Sequence, residues 1–305
     1  MTPKDQPHIA SAEAERSPPS ANREPIQLRR ASQFSFDELV AAYNQARVDY
    51  IVPMPMNAER LREYVHTYDV DLDRSFVATV GDSIIGVAML GVRPSHTWIT
   101  RLGVLPVKRR RGSGQRLMEA LIEESRTLDA ETIILEVIKG NKPAHRLFNK
   151  LGFEDVRPLL VIRRPPGPPQ VDVGPYTTRT VECQQITELL KQRRSNPSWL
   201  DEPPSLVNAG NLEAIRLQHT DGSRGWIVYQ KTPFQLARLV LQAEAGEPER
   251  VGRALIHALH RRYPALDTKS ENLPLQSPYW PALQEMGYIE AFQRIEMTLD
   301  LTGAG

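Results

Sequence analysis

Cysteine is nearly absent from this chain of 305 residues: Cys183 stands alone, so no intramolecular disulfide can form. With no partner thiol and no evident His/Asp framework, Cys183 reads as a small apolar residue in a reducing compartment. Charge of one sign is lacking too. Thirty-eight Lys+Arg against thirty-seven Asp+Glu leave a formal charge of +1, which excludes a whole-chain field for nucleic acid or an anionic membrane. Long apolar runs are missing: none approaches the ~20 uncharged residues that span a bilayer, and the opening residues lack a signal peptide's apolar core. The expected location is the cytoplasm. What is present is ordinary globular composition, 40% hydrophobic and 25% charged, which at roughly 150 residues per domain suggests two domains.

Proline is not scarce, and it divides the chain. Residues 1–24 combine Pro, Ser, Ala and charge without a periodic apolar face, so they are expected to form a flexible tail. Arg163-Arg164-Pro165-Pro166-Gly167-Pro168-Pro169 stiffens toward polyproline II and removes backbone donors, which no helix interior or central strand tolerates. Residues 164–175 are therefore read as a linker between domains at 25–163 and 176–305.

In the first domain the spacing predicts a strand at Ile26–Arg30, a helix capped by Ser35 with Glu38, and a second helix near Asn57–Tyr68. An acidic loop, Asp69 to Asp73, follows. Phe76–Val80, Ile84–Val92 and Thr97–Val104 carry the β-branched content of a meander. Leu117, Met118, Leu121 and Ile122 share one helical face, Thr132–Ile138 reads as a strand, and Asn141–Leu151 as a short helix stopped by Gly152. Leu159–Arg163 is expected to close this sheet. The fold class is α+β.

One segment carries chemistry. Between the strand ending at Val104 and the helix starting near Ser113, Lys108-Arg109-Arg110-Arg111 precedes Gly112-Ser113-Gly114. The glycines let backbone N–H groups approach an anion, and the helix N-terminus and basic residues add positive charge: a pyrophosphate cradle. No Gly-Lys-Ser/Thr follows, which excludes a nucleotide P-loop, and only two of the three Rossmann glycines can be placed. Nucleic-acid binding is disfavoured because the basic cluster has no interleaved aromatics.

Arg109-Arg110-Arg111-Gly112-Ser113-Gly114 resembles the signature of the GNAT acetyltransferase superfamily. Asn141, Ala144 and the stretch Leu147-Phe148-Asn149-Lys150-Leu151-Gly152-Phe153 resemble the family's second segment. The resemblance implies an acetyl-CoA site in residues 26–163. Main-chain groups of Leu102, Gly103 and Val104 would pair with the pantetheine arm, amides of Arg109 to Gly114 would hold the pyrophosphate, and Asn141 would lie beside the cofactor. It also implies Glu136 as a general base, where the bland alternative is an edge carboxylate paired to a Lys or Arg. Some base or water chain is needed because a lysine-type amine has a pKa of about 10.4.

Phe148 stands where the family has a tyrosine, so the leaving thiolate needs another donor, His145, Tyr50, Tyr64, Tyr68 or water. The acceptor is expected over residues 50–73, with Asp69, Asp71 and Asp73 facing an amine cation or merely solvated.

The second half repeats the order of elements. Leu212–His219, Gly225–Lys231 and Phe234–Gln242 read as strands, followed by a helix with Leu255 on its apolar face and a final strand at Gln293–Leu301. Leu117 and Leu255 are 138 positions apart, and Gly152 and Gly287 are 135 apart, which argues for a duplicated domain. Each GNAT-like domain is expected to be a mixed, largely antiparallel twisted sheet flanked by helices. The second cradle reads as dead: Glu244, Glu247 and Glu249 face it, and Arg250 aligns with Gly112. His257 and His260, lacking a third ligand, read as a solvated face and no metal is expected.

The expectation is an acetyl-CoA-dependent N-acetyltransferase acting by direct transfer to an amine-bearing small molecule or peptide, as a monomer or homodimer. The rival is a non-catalytic CoA-responsive scaffold.

Overall fold

The computed structural model describes residues 25–303 except 53, 54 and 110; the expected tail lies outside the described residues. The first half runs β1 (Gln27–Arg30), α1 (Phe36–Ala46), α2 (Ala58–Thr67), β2 (Val70–Val80), β3 (Ser83–Val92), β4 (His96–Val104), α3 (Ser113–Thr127), β5 (Thr132–Ile138), α4 (Lys142–Lys150) and β6 (Glu154–Arg164). The second runs β7 (Tyr176–Thr180), α5 (Cys183–Lys191), α6 (Pro203–Ala209), β8 (Leu212–His219), β9 (Arg224–Lys231), β10 (Gln235–Ala245), α7 (Pro248–Arg262), β11 (Asp267–Pro274), α8 (Trp280–Glu285) and β12 (Ile289–Asp300).

Local chemistry sets many of these limits. The Ser35 hydroxyl accepts from the Glu38 N–H while the Glu38 carboxylate accepts from the Ser35 N–H, a complete capping box on α1. Asn57 caps α2 through the Arg60 N–H. Asp69 to Asp73 is not a loop: β2 begins at Val70, because Val70 and Asp71 already pair with Gly91 and Leu90 of β3. Cys183 is exposed at the first residue of α5, so it does not pack as an apolar residue.

Among the described residues the strands form one sheet in the order β1-β2-β3-β4-β5-β12-β6-β11-β10-β9-β8-β7. Pairing is antiparallel except β4 with β5 and β10 with β11. Each half has given its last strand to the other. β6 does not close its own sheet; it pairs with β11 and β12, while β12 pairs with β5 from Arg294 opposite Ile138 to Asp300 opposite Thr132. The physical reason lies in the strands themselves. Leu160 and Ile162 pack among the apolar residues of α7, β9 and β10, while Met297 of β12 packs among those of the first half.

Helices cover both faces. In the first half α3 packs Leu117, Met118 and Leu121 on one face, and α1 and α2 pack Leu39, Tyr43 and Leu61 on the other. In the second half α7 and α5 do the same. Each fully buried aliphatic side chain is worth about 1.5–3 kcal/mol relative to exposure. A third contact joins the halves: Trp199 is fully buried and stacks on Trp98, ring centroids 5.6 Å apart, with the Arg93 guanidinium 3.9 Å from its ring centroid.

Candidate active site

β4 and β5 pair in parallel from His96 and Thr132 to Ile99 and Leu135, then separate. Arg101 marks the point with a left-handed φ of 55°, and the β3–β4 register slips between Val87 and Met89. The separation opens a cavity of about 770 Å³. Tyr64, Trp98, Arg101 and Glu136 line it from the first half, and Lys269, Glu271 and Arg294 from the second.

Glu136 is the centre of its polar network. Trp98 Nε1 donates to one carboxylate oxygen at 2.8 Å and Asn272 Nδ2 to the other at 2.9 Å. Burial pushes the carboxyl up to about 7, against the pull of Arg294 and the two donors and with help from Glu296. Asn272 Oδ1 in turn accepts from Arg294 at 2.8 Å, and Arg294 pairs with Glu271 at 2.7 Å. Burial opposes charge on Glu271, but Arg294 and Lys269 outweigh it and hold its carboxyl far below the usual range. The two half-buried carboxyls are thus tuned in opposite directions, a pattern common at sites of acid–base chemistry.

The expected cofactor residues fall in two groups. Leu102, Glu136 and Asn141 line the cavity. Gly103 is buried, and a Cβ there would stand 2.9 Å from that of Ala46. Val104 ends β4 beside the cradle: a Cβ at Gly114 would lie 3.6 Å from both Val104 and Leu147. Gly112 has φ 81° and caps α3 without a side chain, and among the described residues a Cβ there would meet nothing within 4 Å, so the start of the helix is open. The Ser113 hydroxyl is buried with no partner among the described residues. An open, uncapped helix start with an orphaned hydroxyl fits a pyrophosphate.

Arg111 is exposed, and Arg110 lies outside the described residues. Arg109 spends its guanidinium on protein: two bonds to Asp49 at 2.6 and 2.8 Å, one to the Ala46 carbonyl and one to that of Val104. It ties the loop to the end of α1. Asn141 likewise caps α4 through the Ala144 N–H and donates to the Tyr50 hydroxyl at 3.2 Å.

The second half has no such opening. Only Gly246 and Glu247 separate β10 from α7, where residues 105–112 separate β4 from α3. The buried faces also correct the sequence register. Leu117 and Val251, Leu121 and Leu255, and Ile122 and Ile256 are each 134 positions apart, which sets Gly246 (φ 89°), not Arg250, opposite Gly112. The glycine survives, but a Cβ on it would meet Ser223 at 2.5 Å, so the β8–β9 turn fills the space. Arg250 pairs with Asp221 of that turn, and Glu244 with Arg216.

Other expectations resolve case by case. Phe148 is buried against Phe153 and offers no proton. His145 pairs with Asp155 at 2.7 Å and is not among the cavity residues, whereas Tyr50, Tyr64 and Tyr68 are. The acidic cluster does not reach the cavity: Asp69 pairs with Arg93, and Asp71 with Arg74. His257 is bonded to Tyr176, and His260 is fully buried against Tyr288, not solvated; burial pulls its imidazole down to about 3.

Sequence reasoning missed Lys269, Glu271 and Asn272 because β11, Asp-Thr-Lys-Ser-Glu-Asn-Leu-Pro, has almost no β-branched or aromatic content. The repeat could have found them, since 135 positions beyond Thr132, where β5 starts, is Asp267, where β11 starts.

Residues 38–153 match the Acetyltransferase (GNAT) family. An N-alpha-acetyltransferase of Saccharolobus solfataricus is 29% identical over 147 residues, 43% of this chain and 82% of that protein. A GCN5-related N-acetyltransferase from Sphaerobacter thermophilus superimposes with TM-score 0.65 at 15% identity, over 92% of this chain and 96% of that one. A tandem GNAT protein from the clavulanic acid biosynthesis pathway does so with TM-score 0.62 at 14% identity, over 92% of this chain and all of the other. Among the described residues, no helix is long and apolar enough to cross a membrane.

Proposed function

We propose that this chain, whose residues 38–153 match the GNAT acetyltransferase family, transfers an acetyl group from acetyl-CoA directly to a primary amine, with Glu136 as the general base. Residues 25–163 form the catalytic domain, residues 164–175 the linker, and residues 176–305 a degenerate copy that binds no CoA and walls the acceptor side. The observation that carries this reading is the Glu136 carboxyl, raised to about 7 at the point where β4 and β5 part.

A base titrating near neutrality can take the ammonium proton and release a neutral amine. The amine nitrogen then bonds to the acetyl carbon as the carbon–sulfur bond breaks, the nitrogen loses its surplus proton to water, and the departing thiolate takes a proton. Tyr50 supplies it: its hydroxyl lies beside Asn141 at the start of α4, on the side where Phe148 has none to give. Tyr64 and Tyr68 belong to the acceptor side, packed on Trp98. Both phenols titrate above their usual range, chiefly through burial, and stay protonated. The cradle of Gly112, Ser113 and Gly114 would hold the pyrophosphate, and β4 at Leu102 to Val104 the pantetheine arm.

Calorimetric titration with acetyl-CoA tests this. One molecule per chain, together with CoA release in the presence of amines, supports it; two per chain would contradict the closed second cradle. The buried Phe148 favours the rival reading, a CoA-responsive scaffold, which predicts binding without release.

A further inference from the structure

The cavity wall formed by β6 and β11 carries more positive charge than its own carboxylates balance. Arg163 of β6 and Lys269 of β11 are direct cross-strand partners, and both line the cavity. Like charges directly opposite each other on a sheet face destabilise it, so this pairing needs a compensating anion. The protein supplies two carboxylates, one of them shared. Asp267 is 3.7 Å from Arg163, and Glu271, 2.7 Å from Lys269, is shared with Arg294. Three cations thus divide these two carboxylates and Glu136, whose raised carboxyl also faces Arg294. A fourth, Arg101, leans on Tyr64 and the Tyr43 hydroxyl, with its Nε buried and unbonded among the described residues.

This charge is not placed for the cofactor. The cradle follows β4, whereas β6 and β11 lie on the far side of β5, two and three strands beyond it. Lys269 is joined to Glu136 by a chain of contacts through Glu271, Arg294 and Asn272, each 2.7–2.9 Å long, which sets the Lys269 ammonium on the order of 10 Å from the Glu136 carboxylate.

We propose that the acceptor is an elongated anionic amine, whose amino group reaches Glu136 while a carboxylate or phosphate on the order of 10 Å away docks between Arg163 and Lys269. This rests on the acetyltransfer reading for the amine end only. The anion end is a binding site in its own right, and its span corresponds to about three extended residues at ~3.3 Å each.

The test uses the full chain and four tripeptide amides: Ser-Ala-Glu, Ser-Ala-phosphoserine, Ser-Ala-Gln and Ser-Ala-Lys. CoA release should favour the two anionic peptides over Ser-Ala-Gln by at least tenfold in kcat/KM, with the better of the two showing whether carboxylate or phosphate is preferred. Ser-Ala-Lys should be the poorest. Arg163→Gln should abolish the preference, and Lys269→Glu should invert it toward Ser-Ala-Lys. The Arg163 side chain is 57% exposed, so Arg163→Gln does not threaten the fold.

Calorimetry of each peptide against the CoA-loaded protein gives a readout independent of turnover. Anion-dependent binding lost in Arg163→Gln, without acetyl transfer to any peptide, would uphold this inference and overturn the acetyltransfer reading. Equal rates for Ser-Ala-Glu and Ser-Ala-Gln, or a preference that survives Lys269→Glu, would overturn this inference and leave that reading intact. Neither binding nor transfer would overturn both.

Discussion

Asn272, on a strand of the second half, donates its side-chain N–H to the Glu136 carboxylate of the first at 2.9 Å. The backbone makes this possible. Asn272 sits at φ 60° within an irregularity of the β6–β11 register between Ser270 and Leu273, and asparagine is among the few residues that accept this conformation readily. The supposed spare domain therefore reaches the centre of the candidate active site.

Replacing Asn272 with Leu removes a donor that favours the charged form of Glu136. The Glu136 pKa should rise further, moving the acidic limb of the kcat/KM profile to higher pH and costing more activity at pH 6 than at pH 8.5. A purely structural role would lower the whole profile without moving the limb.

Glu136→Gln keeps the shape but can accept only one of the two hydrogen bonds from Trp98 and Asn272, and it cannot take a proton. Activity at pH 7 should fall between about a hundred- and ten-thousand-fold, with the acidic limb lost. An unchanged profile would remove Glu136 from the mechanism.

Asp201 is buried and its carboxyl is pushed up to about 6, chiefly by burial and against Arg193 and Arg238. A carboxyl raised in the folded state binds more protons there than in the unfolded chain between about pH 4 and 6, so its contribution to stability is present below that window and lost as pH rises through it. Asp201→Asn should be more stable than the parent at pH 8, by up to about 3 kcal/mol, and no more stable at pH 4. Denaturant unfolding at the two pH values measures this.

The two cradles should respond oppositely to one added methyl group. Gly112→Ala meets no atom but strains a left-handed residue by about 1–2 kcal/mol, so acetyl-CoA affinity should fall roughly tenfold with a modest loss of Tm. Gly246→Ala drives its Cβ into Ser223 and should lower Tm more, leaving that affinity unchanged.

Trp199→Ala should cost about 3–5 kcal/mol of stability. It should also lower activity, because Trp199 supports Trp98, which donates to Glu136. Full activity in a destabilised variant would show that Trp98 needs no such support.

The sequence by itself determined what depends on near neighbours in the chain. The Ser35–Glu38 capping box, the apolar face of α3, the Gly112 turn into that helix and the limits of β5 at Thr132 and Ile138 were all legible, because bonds and periodicities within a few residues decide them. The repeat was legible too, although the helix faces set its register at 134, not 138. Only the tertiary structure decided which strand pairs with which. β6 and β12 could each close their own half by local pattern, and what sends them across is packing on distant elements, Leu160 and Ile162 against α7 among them. From that exchange follow the Asn272–Glu136 contact, the raised carboxyl and the facing cations Arg163 and Lys269. Each joins residues more than a hundred positions apart, and the desolvation and Coulomb interactions that tune them exist only once the chain has folded.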